Sequence, residues 1–108
     1  MVAVPNEVKR ALKRFLSSVN AEMPIERAFL FGSFARGDAG PDSDIDVAIV
    51  SKRFRGMRRL DIIAWLLAKT RGLSIDLQPI GMDPEDFGDE SNTLAQTIAS
   101  EGEPLPLN

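Results

Sequence analysis

Residues 30–50 read LFGSFARGDAGPDSDIDVAIV, and the arrangement of the rest of the chain follows from this stretch. An apolar run ends at Gly32-Ser33, a loop rich in Gly, Asp and Pro follows, and Asp44 and Asp46 stand at the head of a second apolar run. Ile25 to Phe31, β-branched and aromatic in composition, is predicted as a buried strand stopped by Gly32. Asp44 to Val50 is predicted as a second strand. Side chains alternate along a strand, so Ile45, Val47 and Ile49 share one face while Asp44, Asp46, Ala48 and Val50 share the other. That second face begins polar and ends apolar. Between the strands, Ser33 to Arg36 has room for one helical turn, and Gly37 to Ser43 is loop by composition. Asp38 and Asp42 suit turn positions there, and Ser43 can bond its neighbours to fix the strand entry.

Working outward, Val8, Ala11, Leu12, Phe15, Leu16 and Val19 recur at helical spacing between Glu7 and Asn20, with Lys9, Arg10, Lys13 and Arg14 forming a solvated face. Pro24 ends any continuation of that helix. Past the second strand, Lys52 to Arg59 is a basic connection, read as a solvated helix start. Met57 to Thr70 is predicted as a helix with Leu60, Ile63, Ala64 and Leu67 inward, widened by Ile62 and Leu66, and with Trp65 at the edge. Arg71-Gly72 closes it. Leu73 to Ile80 alternates again, with Leu73, Ile75 and Leu77 on one side and Ser74, Asp76 and Gln78 on the other, as in a third strand. Gly81 to Glu90 is a turn-rich acidic connection in which Asp83-Pro84 can begin a helical turn, and Ser91 to Ser100 is a last helix. Pro104 and Pro106 keep the tail extended, so that Leu105 and Leu107 pack on the body or the tail frays. The element order predicts an α/β (α+β) fold, a small mixed β-sheet with helices packed on one face, formed by residues 1–108 as one domain.

Composition limits the chemistry. The 108 residues are 44% hydrophobic and 27% charged, ordinary for a globular chain. No cysteine is present, which removes disulfides and thiolate metal sites and suits a reducing cytoplasm. No histidine is present either, so catalysis must run on carboxylates, hydroxyls, Lys or Arg, and hard oxygen-liganded cations. Thirteen basic residues stand against sixteen acidic ones, a net charge of −3, and nucleic acid is not expected as a direct substrate. After Gly72 there is no basic residue. No apolar run approaches the roughly 20 residues that span a bilayer, and the start lacks a secretory pattern.

Asp44 and Asp46, two apart in a strand, project from one face with Cα atoms roughly 6.5–7 Å apart. Two carboxylates so close repel unless a cation lies between them, and without His or Cys the matching cation is Mg²⁺ or Mn²⁺. The same DSDID also suits a polar loop edge in which Asp44 caps a turn and Asp46 pairs with an arginine. Gly32-Ser33, ten residues earlier, sharpens the first reading. A strand that ends at Gly and turns into a helical start offers free N–H groups to phosphate oxygens. The Ser33 hydroxyl can donate to a phosphate and Arg36 can add charge, although Ser33 as a plain N-cap and Gly32 as a turn former explain the same residues.

Taken together, G-S, ten residues and D-x-D resemble the signature of the DNA polymerase β-like nucleotidyltransferase superfamily. More narrowly the chain is similar to the minimal nucleotidyltransferases, short proteins often paired as antitoxins with HEPN-domain toxins. The resemblance rests on Gly32, Ser33, Arg36, Gly37, Ser43, Asp44 and Asp46 within GSFARGDAGPDSDID, and Asp76 in LSIDLQP takes the place of the family's third carboxylate. It implies two Mg²⁺ ions, or Mn²⁺, held by Asp44, Asp46 and Asp76, roughly 3.5–4 Å apart. It also implies that Gly32 and Ser33 hold the phosphates of an NTP, and that AMP passes from ATP to an acceptor hydroxyl. For the toxin-paired family that acceptor is a tyrosine of the HEPN partner. Gln78 could line the nucleotide pocket. Two alternatives remain open: an antitoxin that neutralises its partner by binding alone, and a transferase acting on a small-molecule hydroxyl as in aminoglycoside nucleotidyltransferases. The latter have an extra helical domain for the acceptor, so here a partner or an oligomer would have to complete the site.

Overall fold

The predicted apolar stripe of the first helix is its buried face. In α1 (Asn6–Glu22), Val8, Ala11, Leu12, Phe15, Leu16 and Val19 are buried while Lys9, Arg10, Lys13 and Arg14 are exposed. The computed structural model describes residues 4–40, 44–73 and 75–107. The roles expected of Asp42, Ser43 and Ser74 fall outside the described residues. β1 (Arg27–Phe31) leads through a single helical turn, α2 (Ser33–Arg36), to β2 (Ile45–Val50). Next come α3 (Arg59–Ala68), β3 (Leu77–Met82), α4 (Pro84–Phe87), α5 (Thr93–Glu101) and a two-residue β4 (Glu103–Pro104).

The four strands form one mixed sheet in the order β3-β2-β1-β4. β1 runs antiparallel to β2 and to β4, whereas β2 and β3 are parallel, joined by a crossover that contains α3. The tail thus does more than pack Leu105 and Leu107 half-buried: it pairs with β1, and the Leu105 N–H donates to the Ala28 carbonyl at 2.8 Å. β2 is the central strand and is almost wholly buried beyond its first two residues. On one face Ala28, Leu30, Ile45, Val47 and Ile49 pack with Phe15 and Val19 of α1 and Leu66 of α3. Each of these side chains larger than Ala28 contributes roughly 1.5–3 kcal/mol through removal from water.

Helices lie on both faces, not on one. Phe29, Ala48, Val50 and Met82 point the other way and are covered by Ala95 and Ile98 of α5 and by Phe87 at the end of α4. The apolar half of the alternating β2 pattern therefore lies under α5. The polar half is left uncovered.

Two further expectations shift. In α3 the fully packed residues are Ile62 and Leu66, with Trp65 half-buried, while Leu60 is 79% exposed and Leu67 42%. The helix is apolar on nearly all sides, so its sequence carries two overlapping stripes and the one that reaches the sheet starts at Ile62. The third strand begins at Leu77, not Leu73, and runs past Gly81 to Met82; Leu73 and Ile75 pack half-buried ahead of it. Pro79 is tolerated because β3 is an edge strand. The Ser51 N–H bonds the Met82 carbonyl at 3.0 Å, which turns Met82, Ile80 and Gln78 toward β2 and leaves the missing N–H of Pro79 on the open side. Within the basic connection, Phe54 is buried rather than solvated. Ser51, also buried, donates its hydroxyl to the Pro24 carbonyl at 2.7 Å and accepts from the Arg53 N–H at 3.2 Å. Among the described residues no helix is long and apolar enough to cross a membrane.

Candidate active site

The polar end of the β2 face lies where β1 finishes. In the antiparallel pair Phe31 stands opposite Asp46, so the chain leaves the sheet at Gly32 directly beside the Asp46 carboxylate. Gly32 has φ 74° and ψ −151°, a region open essentially to glycine alone. Space gives a second reason for glycine. A Cβ built at this position would overlap Asp46 Oδ2 and sit 3.2 Å from Asp46 Cγ. The strand-to-helix turn is thus packed directly on one of the two predicted acids.

From Gly32 the backbone winds into α2. The Arg36 N–H donates to the Gly32 carbonyl at 3.1 Å, and Gly37, at φ 82°, closes the turn with its N–H on the Ser33 carbonyl. By the pattern of helical bonding, the N–H groups of Ser33, Phe34 and Ala35 find no acceptor within α2. The Ser33 side chain caps nothing in this turn, since the N-cap position belongs to Gly32. The plain N-cap role for Ser33 is therefore not what the geometry shows.

Asp46 is half-buried and Asp44, one residue before β2, is exposed. Neither carboxylate makes a hydrogen bond or ion pair with any described residue. The arginine partner that a structural role for Asp46 would need is absent from its bonding distance. Burial first, and the Asp44 charge second, push the Asp46 carboxyl above its ordinary value, and the Arg36 guanidinium opposes them. Arg36 itself is exposed and held by Asp38, Nε to Oδ2 at 3.3 Å. An exposed pair of that kind is worth at most about 1 kcal/mol.

Asp44 and Asp76 each stand one residue ahead of the paired register, which opens with Ile45 opposite Leu77. In-register residues of parallel strands share a face, so Asp46 and Gln78 share the one left uncovered at this end. As the side chains stand, no three potential ligands among the described residues close into a cage. Asp44 and Asp76 are exposed, and three like charges hold apart without a cation between them. The donor set fits a hard divalent ion: all oxygen, without ion pairs among the described residues, and with Asp46 raised by burial first and by the Asp44 charge second. Gln78, named as a residue that could line the nucleotide pocket, stands opposite Asp46 on the same face and is exposed.

Comparison with known proteins agrees with this layout. A family model described as a nucleotidyltransferase domain matches residues 8–99. The structure also superposes on the crystal structure of a candidate nucleotidyltransferase from Sulfolobus solfataricus, with a TM-score of 0.62 and 26% sequence identity over 80% of this chain and 81% of that one. No curated protein matches the sequence at a significant level. Since the family model spans most of the chain, from α1 through α5, the protein belongs to the nucleotidyltransferase domain family and its general activity is nucleotidyl transfer.

Proposed function

We propose that the chain transfers AMP from ATP, with Mg²⁺, to an acceptor hydroxyl, and that the acceptor is a tyrosine of a HEPN-domain partner that this modification silences. The observation that carries the reading is the packing of the Gly32 turn on Asp46, at the head of the strand that pairs with β3. Groups that bind phosphate and groups that bind metal are the two halves that such chemistry needs, and that close packing supports reading the turn and the carboxylate as one device. The acceptor assignment rests on the similarity of GSFARGDAGPDSDID to the toxin-paired members of the family.

Each residue then has a part in the transfer. Backbone N–H groups after Gly32, and the Ser33 hydroxyl, orient the β- and γ-phosphates, and Arg36 swings from Asp38 to add charge. Asp44, Asp46 and Asp76 would hold the divalent ions. Bound there, the ions supply Lewis-acid charge to the phosphoryl oxygens and lower the pKa of the acceptor hydroxyl. That hydroxyl oxygen forms the new bond to the α-phosphorus, the α–β bridging bond breaks, and pyrophosphate leaves with the electron pair. Asp76 accepts the hydroxyl proton.

Incubation with ATP labelled in its α-phosphate, Mg²⁺ and the product of the adjacent gene should label that product on tyrosine. Asp44→Asn or Asp46→Asn should lower the rate on the order of 10³-fold, the kinetic equivalent of several kcal/mol of lost charge stabilisation. Equal labelling by the double variant would sink the mechanism.

A further inference from the structure

The four large apolar side chains that stand exposed among the described residues are Met57, Leu60, Leu67 and Leu94. Their placement is not scattered. Met57 and Leu94 line one cleft of about 280 Å³ that runs beside the open edge of β3, between α3 on one side and α4 with the start of α5 on the other. Ile63 lines the same cleft, and Leu60 and Leu67 extend its stripe along α3 at spacings of three and four residues. This is the stripe expected to face the core, displaced outward because Ile62 and Leu66 took that place.

The cleft has a charge of opposite sign on each lip. Arg59 lines the α3 side, with exposed Arg55 and Arg58 leading into it and Asp61 the only acid of the helix. Asp83 and Asp86 line the α4 side, with exposed Glu85 between them. The sequence shows the same division: every basic residue precedes Gly72 and eight acids follow it. Outside the lining, exposed Arg55 approaches Glu85 at 3.9 Å.

An apolar floor between a basic and an acidic lip is matched by itself. A two-fold axis along the cleft lays the basic lip of one copy on the acidic lip of the other, twice over, and closes the apolar side chains in the centre. A different protein would have to reproduce this same two-signed pattern. We propose that the flank built from α3, α4 and the start of α5 is the surface through which two copies of this chain pair, with Met57, Ile63 and Leu94 at the centre, Leu60 at the margin, and Arg59 of each copy facing Asp86 of the other. The inference does not depend on the transfer chemistry, since none of these residues belongs to the carboxylate face.

Sedimentation equilibrium of the full chain at about 100 µM, a concentration that populates any contact of micromolar affinity, should give twice the 11.8 kDa chain mass. Leu60→Glu adds a charge at a position 79% exposed in the single chain, so it should leave circular dichroism unchanged and return the protein to a monomer. Arg59→Glu and Asp86→Arg should each weaken the dimer at least about tenfold, and the two together should restore it to within roughly threefold. A monomeric wild type would overturn the proposal. A dimer that survives Leu60→Glu, or that the paired reversal fails to restore, would also overturn it by placing the contact elsewhere. Should Leu60→Glu prove unfolded, the charge-reversal cycle alone decides.

Discussion

Gly32 and Gly37 flank the same helical turn and both have positive φ, 74° and 82°, yet alanine should affect them differently. At Gly37 a Cβ meets nothing within 4 Å, so Gly37→Ala carries only the left-handed penalty of roughly 1–2 kcal/mol. At Gly32 the backbone lies in a glycine-only region costing about 1–3 kcal/mol for other residues. In addition, Asp46 Oδ2 must retreat by about 1 Å before a methyl group fits. A displacement of that size at a reacting centre costs on the order of 10²-fold, or about 2.7 kcal/mol in the barrier. Urea unfolding should therefore show both variants destabilised by comparable amounts. Single-turnover nucleotidyl transfer at saturating folded protein should fall only in Gly32→Ala. If Gly32→Ala transferred within about threefold of Gly37→Ala, the claim that the turn and Asp46 form one device would be wrong.

Because the Asp46 carboxyl is pushed up in the folded protein, its contribution to stability is present at low pH and lost as pH rises through the folded value, the reverse of a salt-bridged Asp. Asp46→Asn should raise the melting temperature at neutral pH in the absence of divalent ions and flatten its pH dependence, and Mn²⁺ should stabilise the wild type but not this variant. Leu66→Ala, at a fully buried position, should cost about 2–5 kcal/mol in chemical denaturation, whereas Leu60→Ala in dilute protein should stay within about 0.5 kcal/mol. Gly81→Ala would press a methyl within 2.7 Å of Ile62 and Phe54, and should cost about 1–3 kcal/mol by the same measurement, partly recovered by Ile62→Val.

The site was more legible in the sequence than the packing around it. Strand alternation alone separated Asp44 and Asp46 from Ile45, Val47 and Ile49, and the structure keeps that division with the acids at the uncovered end. The reason is local: a period of two needs no knowledge of what covers each face. For α3 the same kind of reasoning failed, because RLDIIAWLLA has apolar residues on every side and only the sheet decides which of them are buried. Likewise, the second helical layer was not foreseen. Leu94, Ala95, Ile98 and Ala99 announce an apolar face, of which only Ala95 and Ile98 are buried while Leu94 and Ala99 stay exposed, and they do not say which side of the sheet it will meet, a matter set by the turn through α4 after β3. Asp76 was singled out by the polar side of its alternating segment and by the resemblance, on the condition that its strand neighbours that of Asp44; the parallel pairing of β2 and β3 that meets this condition is encoded by no single segment. The contact between Gly32 and Asp46 is of the same kind: fifteen positions of GSFARGDAGPDSDID contain both partners, and only the antiparallel return of the chain makes them neighbours.

The central claim is that the turn at Gly32 and the carboxylates at the head of β2 together hold a metal-bound nucleotide. Electron paramagnetic resonance of Mn²⁺ titrated with protein and a non-hydrolysable ATP analogue tests it without any acceptor. Wild-type protein should bind the ion far more tightly with the analogue present than without it, and Asp44→Asn with Asp46→Asn should abolish that gain. Equal binding by wild type and double variant would contradict it.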